Sequence, residues 1–131
     1  MFRAALRRCR CLIPADGFYE WRKEPGGAKT PMRLTPLAGG ALFGFAGIAE
    51  HWVGPDGEQV RSCAILTTAP NELVAPVHDR MPVILRPEYE ALWLDPAITE
   101  PAALAPALVP YPASAMIAYP VSRRVRSSQP I

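Results

Sequence analysis

Proline sets the first limit on what this chain can fold into. Sixteen of its 131 residues are proline, well above the ~5% of an average protein. Inside a helix a proline removes a hydrogen bond and clashes with the preceding turn; inside a central strand it leaves a ladder bond unmade. Short strands, many turns and one or two modest helices are therefore expected. Half of the residues are apolar, which argues against disorder throughout. The length fits a single domain, residues 1–131, of a size that can bury a substantial core.

Local patterns place the elements. Arg10 to Pro14 is a short apolar run ended by the turn Pro14-Ala-Asp-Gly. Gly17 to Lys23 is rich in aromatics and reads as a strand. On a period of two, Phe18, Glu20 and Arg22 point one way, and Tyr19, Trp21 and Lys23 the other. Glu24-Pro-Gly-Gly is a hairpin signal, with Thr30 to Leu34 returning as partner and Pro31 near a sheet edge or among the strand's first residues. Leu42 to Trp52 is a third strand, and Pro55-Asp-Gly turns the chain into Gln59–Thr68, whose segment Cys63-Ala-Ile-Leu reads as buried. A short helix from Asn71 to Val77, capped near Thr68 or Asn71, precedes a strand over Pro82 to Leu85. Pro87 to Leu94 has proline in its first turn and acids at the positive end, so it reads as a helix that buries Leu92 and Trp93. A packed Ala/Pro-rich loop then leads to a last strand, Met116 to Val121. The expected class is α+β: β-rich, a curled or partly closed sheet with one or two short covering helices.

Charge is divided along the chain. All 12 acids fall between residues 11 and 100, against seven lysines and arginines there, so the middle is net −5 while the two ends carry +4 and +3. Termini brought together would form a basic patch suited to phosphates; solvated tails are the plainer reading. Cys9, Cys11 and Cys63 are an odd number without scaffold spacing, which suits a reducing cytoplasm. Met1 to Ala5 runs into arginines with no apolar segment of a signal peptide, and no apolar run is long enough to span a bilayer, so no membrane partner is expected.

Two residues stand out for proton chemistry. Glu20 is a poor strand former on an aromatic segment: it is either a sheet-face carboxylate paired with Arg22 or another arginine, or a proton carrier in an apolar cleft. His78 sits at a helix-to-strand junction, as a turn histidine bonded to Asp79 or a carbonyl, or as an active imidazole. Together they would form a general acid–base pair. Arg80 braces the turn or grips a phosphate, and His51 reads as a surface residue. Cys9, Cys11, Cys63, His51 and His78 give only a weak metal signal, since the spacing is Cys-x-Cys with no second pair. A hydrolase dyad of Cys63 or Cys11 with His78 stays open, although Cys63 reads as too buried to attack. No cofactor fingerprint is present, and neither a cofactor nor a metal is expected.

Four blocks occur in order: Arg7 to Trp21 (R-R-C-R-C-L-I-P-A-D-G-F-Y-E-W), Ala64 to Asn71, His78 to Leu85 (H-D-R-M-P-V-I-L) and Tyr119 to Ser122. In this order they resemble the SOS response-associated peptidase (SRAP) family of abasic-site processing proteins. The resemblance implies a β-rich pseudo-barrel with a positive channel for single-stranded DNA, and a role in DNA damage repair. It implies that an N-terminal cysteine, exposed by autoproteolysis, attacks the aldehyde of an abasic deoxyribose through its α-amine. Loss of water gives a Schiff base, and addition of the thiol across that bond closes a thiazolidine. By the resemblance, Glu20 would move protons on the amine and ring oxygen, and His78 would assist ring opening and reversal. Arg80, Thr67 and terminal arginines such as Arg8 and Arg123 would hold the DNA backbone.

The sequence departs from that pattern at position 2, which is Phe2 and not cysteine. The family's N-terminal section is missing, so the expectation is an N-terminally truncated form, inactive alone, whose uncovered strand edges lead to self-association. A non-enzymatic single-stranded nucleic-acid binder is the alternative, and a thiol hydrolase the third.

Overall fold

A computed structural model describes residues 3–37 and 41–126, without the side chains of Arg3 and Arg126; Phe2 lies outside the described residues. In chain order the elements are α1 (Arg3–Arg8), β1 (Arg10–Ala15), β2 (Phe18–Lys23), β3 (Lys29–Pro36), β4 (Phe43–Val53), β5 (Gln59–Ile65), β6 (Thr67–Thr68), β7 (Met81–Pro82), β8 (Ile84–Leu85), α2 (Pro87–Leu94), α3 (Pro101–Leu104) and β9 (Met116–Pro120). Short 3₁₀ turns follow at Ala105–Ala107, Ala113–Ala115 and Arg123–Arg126. The first sheet runs β1-β4-β5 with β8 also on β4, the second runs β2-β3-β9, and β6 pairs with β7. All pairings are antiparallel. The β-rich α+β reading holds, and the sheets are not closed into a barrel.

Period-two alternation builds two cores from one strand. Phe45 of β4 and Ile84 of β8 face the second sheet and meet Met32, Leu34 and Met116 there, with Val74 and Met81. Their chain neighbours Ala46, Val83 and Leu85 face the other way and pack with Trp93, Leu104 and Ala107 of the helical layer. The first sheet is thus the middle layer, covered by a sheet on one side and by helices on the other.

Arg10 joins this layer to the helices. Its guanidinium donates to the carbonyl oxygens of Leu6 (2.6 Å), Arg7 (3.2 Å), Trp93 (2.6 Å), Asp95 (2.7 Å) and Ile98 (2.7 Å). It also lies 5.5 Å from the Trp93 ring centre. Arg10 is therefore a structural brace, not part of a free basic patch. The two basic ends attach to different sheets: α1 lies against β1 and β4, and residues 123–126 lie against β3.

The chain changes sheets at Asp16-Gly17. Arg33 Nη2 donates to Asp16 Oδ1 at 2.9 Å, and Thr35 Oγ1 donates to the Asp16 carbonyl at 2.8 Å. A side chain at Gly17 would meet the Arg33 guanidinium at 2.8 Å and the Leu34 carbonyl at 3.0 Å, so it would press on the Asp16–Arg33 pair that holds this crossing. The hydrogen bond from Arg33, followed by its charge, holds the Asp16 carboxyl below its ordinary value. A depressed folded value means this pair stabilises above the unfolded value and is lost as pH falls through the folded one. Arg33→Ala is expected to remove that part of the acid transition. Circular dichroism against pH checks it: an identical acid limb in variant and parent would exclude the pair as a contributor.

Three sequence expectations change. Asn71 to Val77 forms successive hydrogen-bonded turns and not a regular helix, because Pro76 interrupts it. Pro82 to Leu85 is broken at Val83, whose backbone bonds Leu66 and Ala46 instead. Cys63 is exposed, as is every residue of β5, because β5 is an edge strand with neither face covered by the described residues. No helix of the described residues is long and apolar enough to cross a membrane.

Candidate functional site

Glu20 takes its position from the β2 register. Phe18, two residues before it, plugs edge-on against Phe45 with ring centres 6.0 Å apart, and Met32, its partner across the ladder, is buried. Glu20 shares their face of the sheet by alternation, at the point where the core gives way to a hollow. Arg22, its expected partner, instead donates to Glu24 at 2.8 Å. The Glu20 carboxylate has no ion pair among the described residues.

His78 arrives from the opposite side, on a loop fixed by one buried side chain. Asn71 Oδ1 accepts from the amides of Leu73 (3.1 Å) and Val74 (3.0 Å), and its Nδ2 donates to the Tyr111 carbonyl at 2.7 Å. These are the bonds of a capping asparagine, with the extra tie stapling the loop to a distant segment. The chain then winds so that His78 N donates to the Val74 carbonyl at 2.9 Å. His78 Nδ1 lies 3.0 Å from both the amide and the carbonyl oxygen of Arg80, accepting from the first when unprotonated and donating to the second when protonated. Asp79 Oδ1 stands 3.2 Å from the same Nδ1, ready to pair once the ring is protonated. The turn role and the free imidazole edge therefore coexist: Nδ1 serves the turn, and Nε2 has no partner among the described residues.

Glu20, Trp21, Lys23 and Lys29 of the hairpin face Ala75, Pro76, Val77, His78 and Asp79 of the loop across a hollow of about 670 Å³. That volume lies in the range of small-ligand sites. Its walls include apolar Ala75, Pro76 and Val77, with a carboxylate and an imidazole at hand for proton transfer.

The other expected site residues lie outside this lining. Arg80 braces Thr67: its Nη2 donates to the Thr67 carbonyl at 2.7 Å and its Nε to the hydroxyl at 3.2 Å. The brace uses no carboxylate, and both residues are exposed. Arg8 at the end of α1 and Arg123 in the last turn are exposed and do not line the hollow. His51 is exposed, with Nε2 3.1 Å from Gln59 Oε1. Neither Cys11 nor Cys63 lines the hollow with His78, so the thiol dyad is not assembled there. Burial, and then the nearby Cys63 charge, push the Cys11 thiol up, away from thiolate chemistry at neutral pH. Among the described residues, no three His, Cys, Asp or Glu side chains are placed to hold a metal ion. Sequence reading missed the double role of Asn71 and the two lysines; the hairpin register was the available signal for the latter.

The family described as SOS response associated peptidase (SRAP) matches residues 1–128. Abasic site processing protein YoqW of Bacillus subtilis is 49% identical over 126 residues, covering 96% of this chain and 56% of that protein. Abasic site processing protein YoaM of the same organism is 48% identical over 126 residues, again 96% of this chain and 55% of that protein. The crystal structure of a protein from Bacteroides thetaiotaomicron superposes with a TM-score of 0.89 at 32% identity, covering 97% of this chain and 56% of that one. The chain thus spans little more than half the length of the curated relatives it matches.

Proposed function

Because this chain belongs to the SOS response-associated peptidase family, we propose that its Glu20–His78 hollow handles abasic sites in single-stranded DNA, as part of the DNA damage response. One observation carries the reading: a carboxylate without an ion-pair partner and an imidazole with an unengaged Nε2 line the same hollow from two elements. In the proposed chemistry an N-terminal cysteine amine, exposed by peptidase action, condenses with the sugar aldehyde, and its thiol closes the ring. Glu20 relays the proton between amine and ring oxygen, and His78 assists opening and reversal. In this reading Arg80, two residues beyond His78, and Thr67, which it braces, hold the sugar–phosphate backbone.

All three cysteines of this chain are internal, so none presents the amine and thiol together. The test uses an abasic single-stranded oligonucleotide with this chain and with a form extended to begin Met-Cys-Gly-Arg. The extended form should give an SDS-resistant adduct and the present chain none. An extended form that gives no adduct would sink the reading.

A second reading, nucleic-acid binding without chemistry, is favoured by exposed Arg8 and Arg123. For single strands the log–log salt slope should shrink by about 0.7 for each phosphate-contacting arginine removed. Binding indifferent to salt would count against it.

Self-association belongs to the same proposal. β5 has a free edge and seven exposed residues, including Val60 and Ile65, and such edges recruit a further strand. Light scattering should show species larger than one chain, decreasing with dilution. A compact monomer at high concentration would contradict it.

A further inference from the structure

The 131-residue chain contains two lysines, Lys23 and Lys29. They stand directly opposite each other as the last pair of the β2–β3 ladder, before the turn in which Glu24 N donates to the Ala28 carbonyl at 2.7 Å. Two ammonium groups in that relation repel and weaken a hairpin. The acid beside them does not offset this, because Glu24 is held by Arg22 at 2.8 Å and by the Thr30 hydroxyl. Neither lysine has an ion pair among the described residues. Both line the hollow that holds Glu20 and His78.

The hollow's two other charged groups, Glu20 and Asp79, are set apart from this pair. Glu20 lies three residues back along β2, about 10 Å at the usual rise of a strand and on the other face by alternation, so the lysines border the hollow from the turn end of the hairpin. Asp79 sits beside the His78 imidazole at 3.2 Å. One end of the hollow is therefore cationic, and the other holds the acid–base groups.

We propose that Lys23 and Lys29 grip the phosphodiester backbone of the strand whose sugar lies at Glu20 and His78. The inference rests on the DNA reading above and adds a phosphate subsite to it. Flexible point charges suit a backbone that must slide and turn, where a planar guanidinium would demand one geometry. A bound phosphate also cancels the repulsion that the hairpin otherwise retains.

With no other lysine present, amine acylation read by mass spectrometry gives an unambiguous footprint. A saturating single-stranded oligonucleotide should protect both side chains in the unmodified protein. Replacing both, Lys23→Ala with Lys29→Ala, should reduce the salt slope by about 1.4, so that affinity falls roughly sevenfold less between about 50 and about 200 mM salt. The double variant should melt no lower than the parent, since it removes a repulsion. Lysines acylated equally fast with saturating DNA, or an unchanged slope in the double variant, would overturn the grip. If the parent binds with a salt dependence that Arg80→Ala weakens, such a result removes the lysines alone. A parent that does not bind at all removes the DNA reading and the grip together.

Discussion

A chain carrying Trp93→Ala is expected to lose about 3–5 kcal/mol of stability, measured as a fall in the urea midpoint. Trp93 is fully buried, packs with Ala46, Val83, Leu85 and Leu104, and donates its indole N–H to the Cys11 carbonyl at 2.9 Å. Alanine would leave a cavity, orphan that carbonyl and remove the ring facing Arg10. Against a typical total of about 5–15 kcal/mol, the loss is a large share of what keeps a small domain folded. Trp93→Phe should cost less, because it fills much of the volume and forfeits chiefly the hydrogen bond. Equal midpoints for the alanine variant and the parent would show that the helical layer contributes little to the fold.

The second large effect is chemical. In the form extended to a Met-Cys start, Glu20→Gln should slow adduct formation on an abasic oligonucleotide about 100- to 10,000-fold, the usual contribution of a positioned acid–base group. Glutamine keeps the shape and cannot exchange the proton, so binding of an intact oligonucleotide should stay near that of the parent. A rate unchanged by the substitution would remove Glu20 from the chemistry, whatever its position in the hollow.

The parts of this fold that are local in sequence were legible from the sequence. Pro87 to Leu94 is a helix with the expected bounds, because proline at its start and Glu88 and Glu90 in its first turn are instructions internal to the segment. The β2–β3 hairpin follows from its turn, where Gly26 and Gly27 take positive φ values of 91° and 93°. Glu20 and His78 were marked by being out of place among aromatic and aliphatic neighbours. Burial of Cys63-Ala-Ile-Leu was misread because an apolar run does not say whether another layer will cover it; only Leu66 packs against a core. The ties of Asn71 to Tyr111 and of Arg10 to Trp93 span 40 and 83 residues, a separation that no local pattern encodes. The resemblance supplied the expectation of abasic-site chemistry; the residues alone marked an acid–base pair without a substrate.

The single-residue break at Val83 has a mechanical meaning. Its N–H donates to Leu66 at 2.8 Å and its carbonyl accepts from Ala46 at 2.9 Å, so the segment three residues after Arg80 is stitched into the middle sheet on both sides. A tug on a strand tethered near His78 would load these bonds together along the direction of the chain, in shear, not peel them open one at a time. The loop that carries His78 is thus anchored on two sides just beyond its turn, which holds the recess in shape under load.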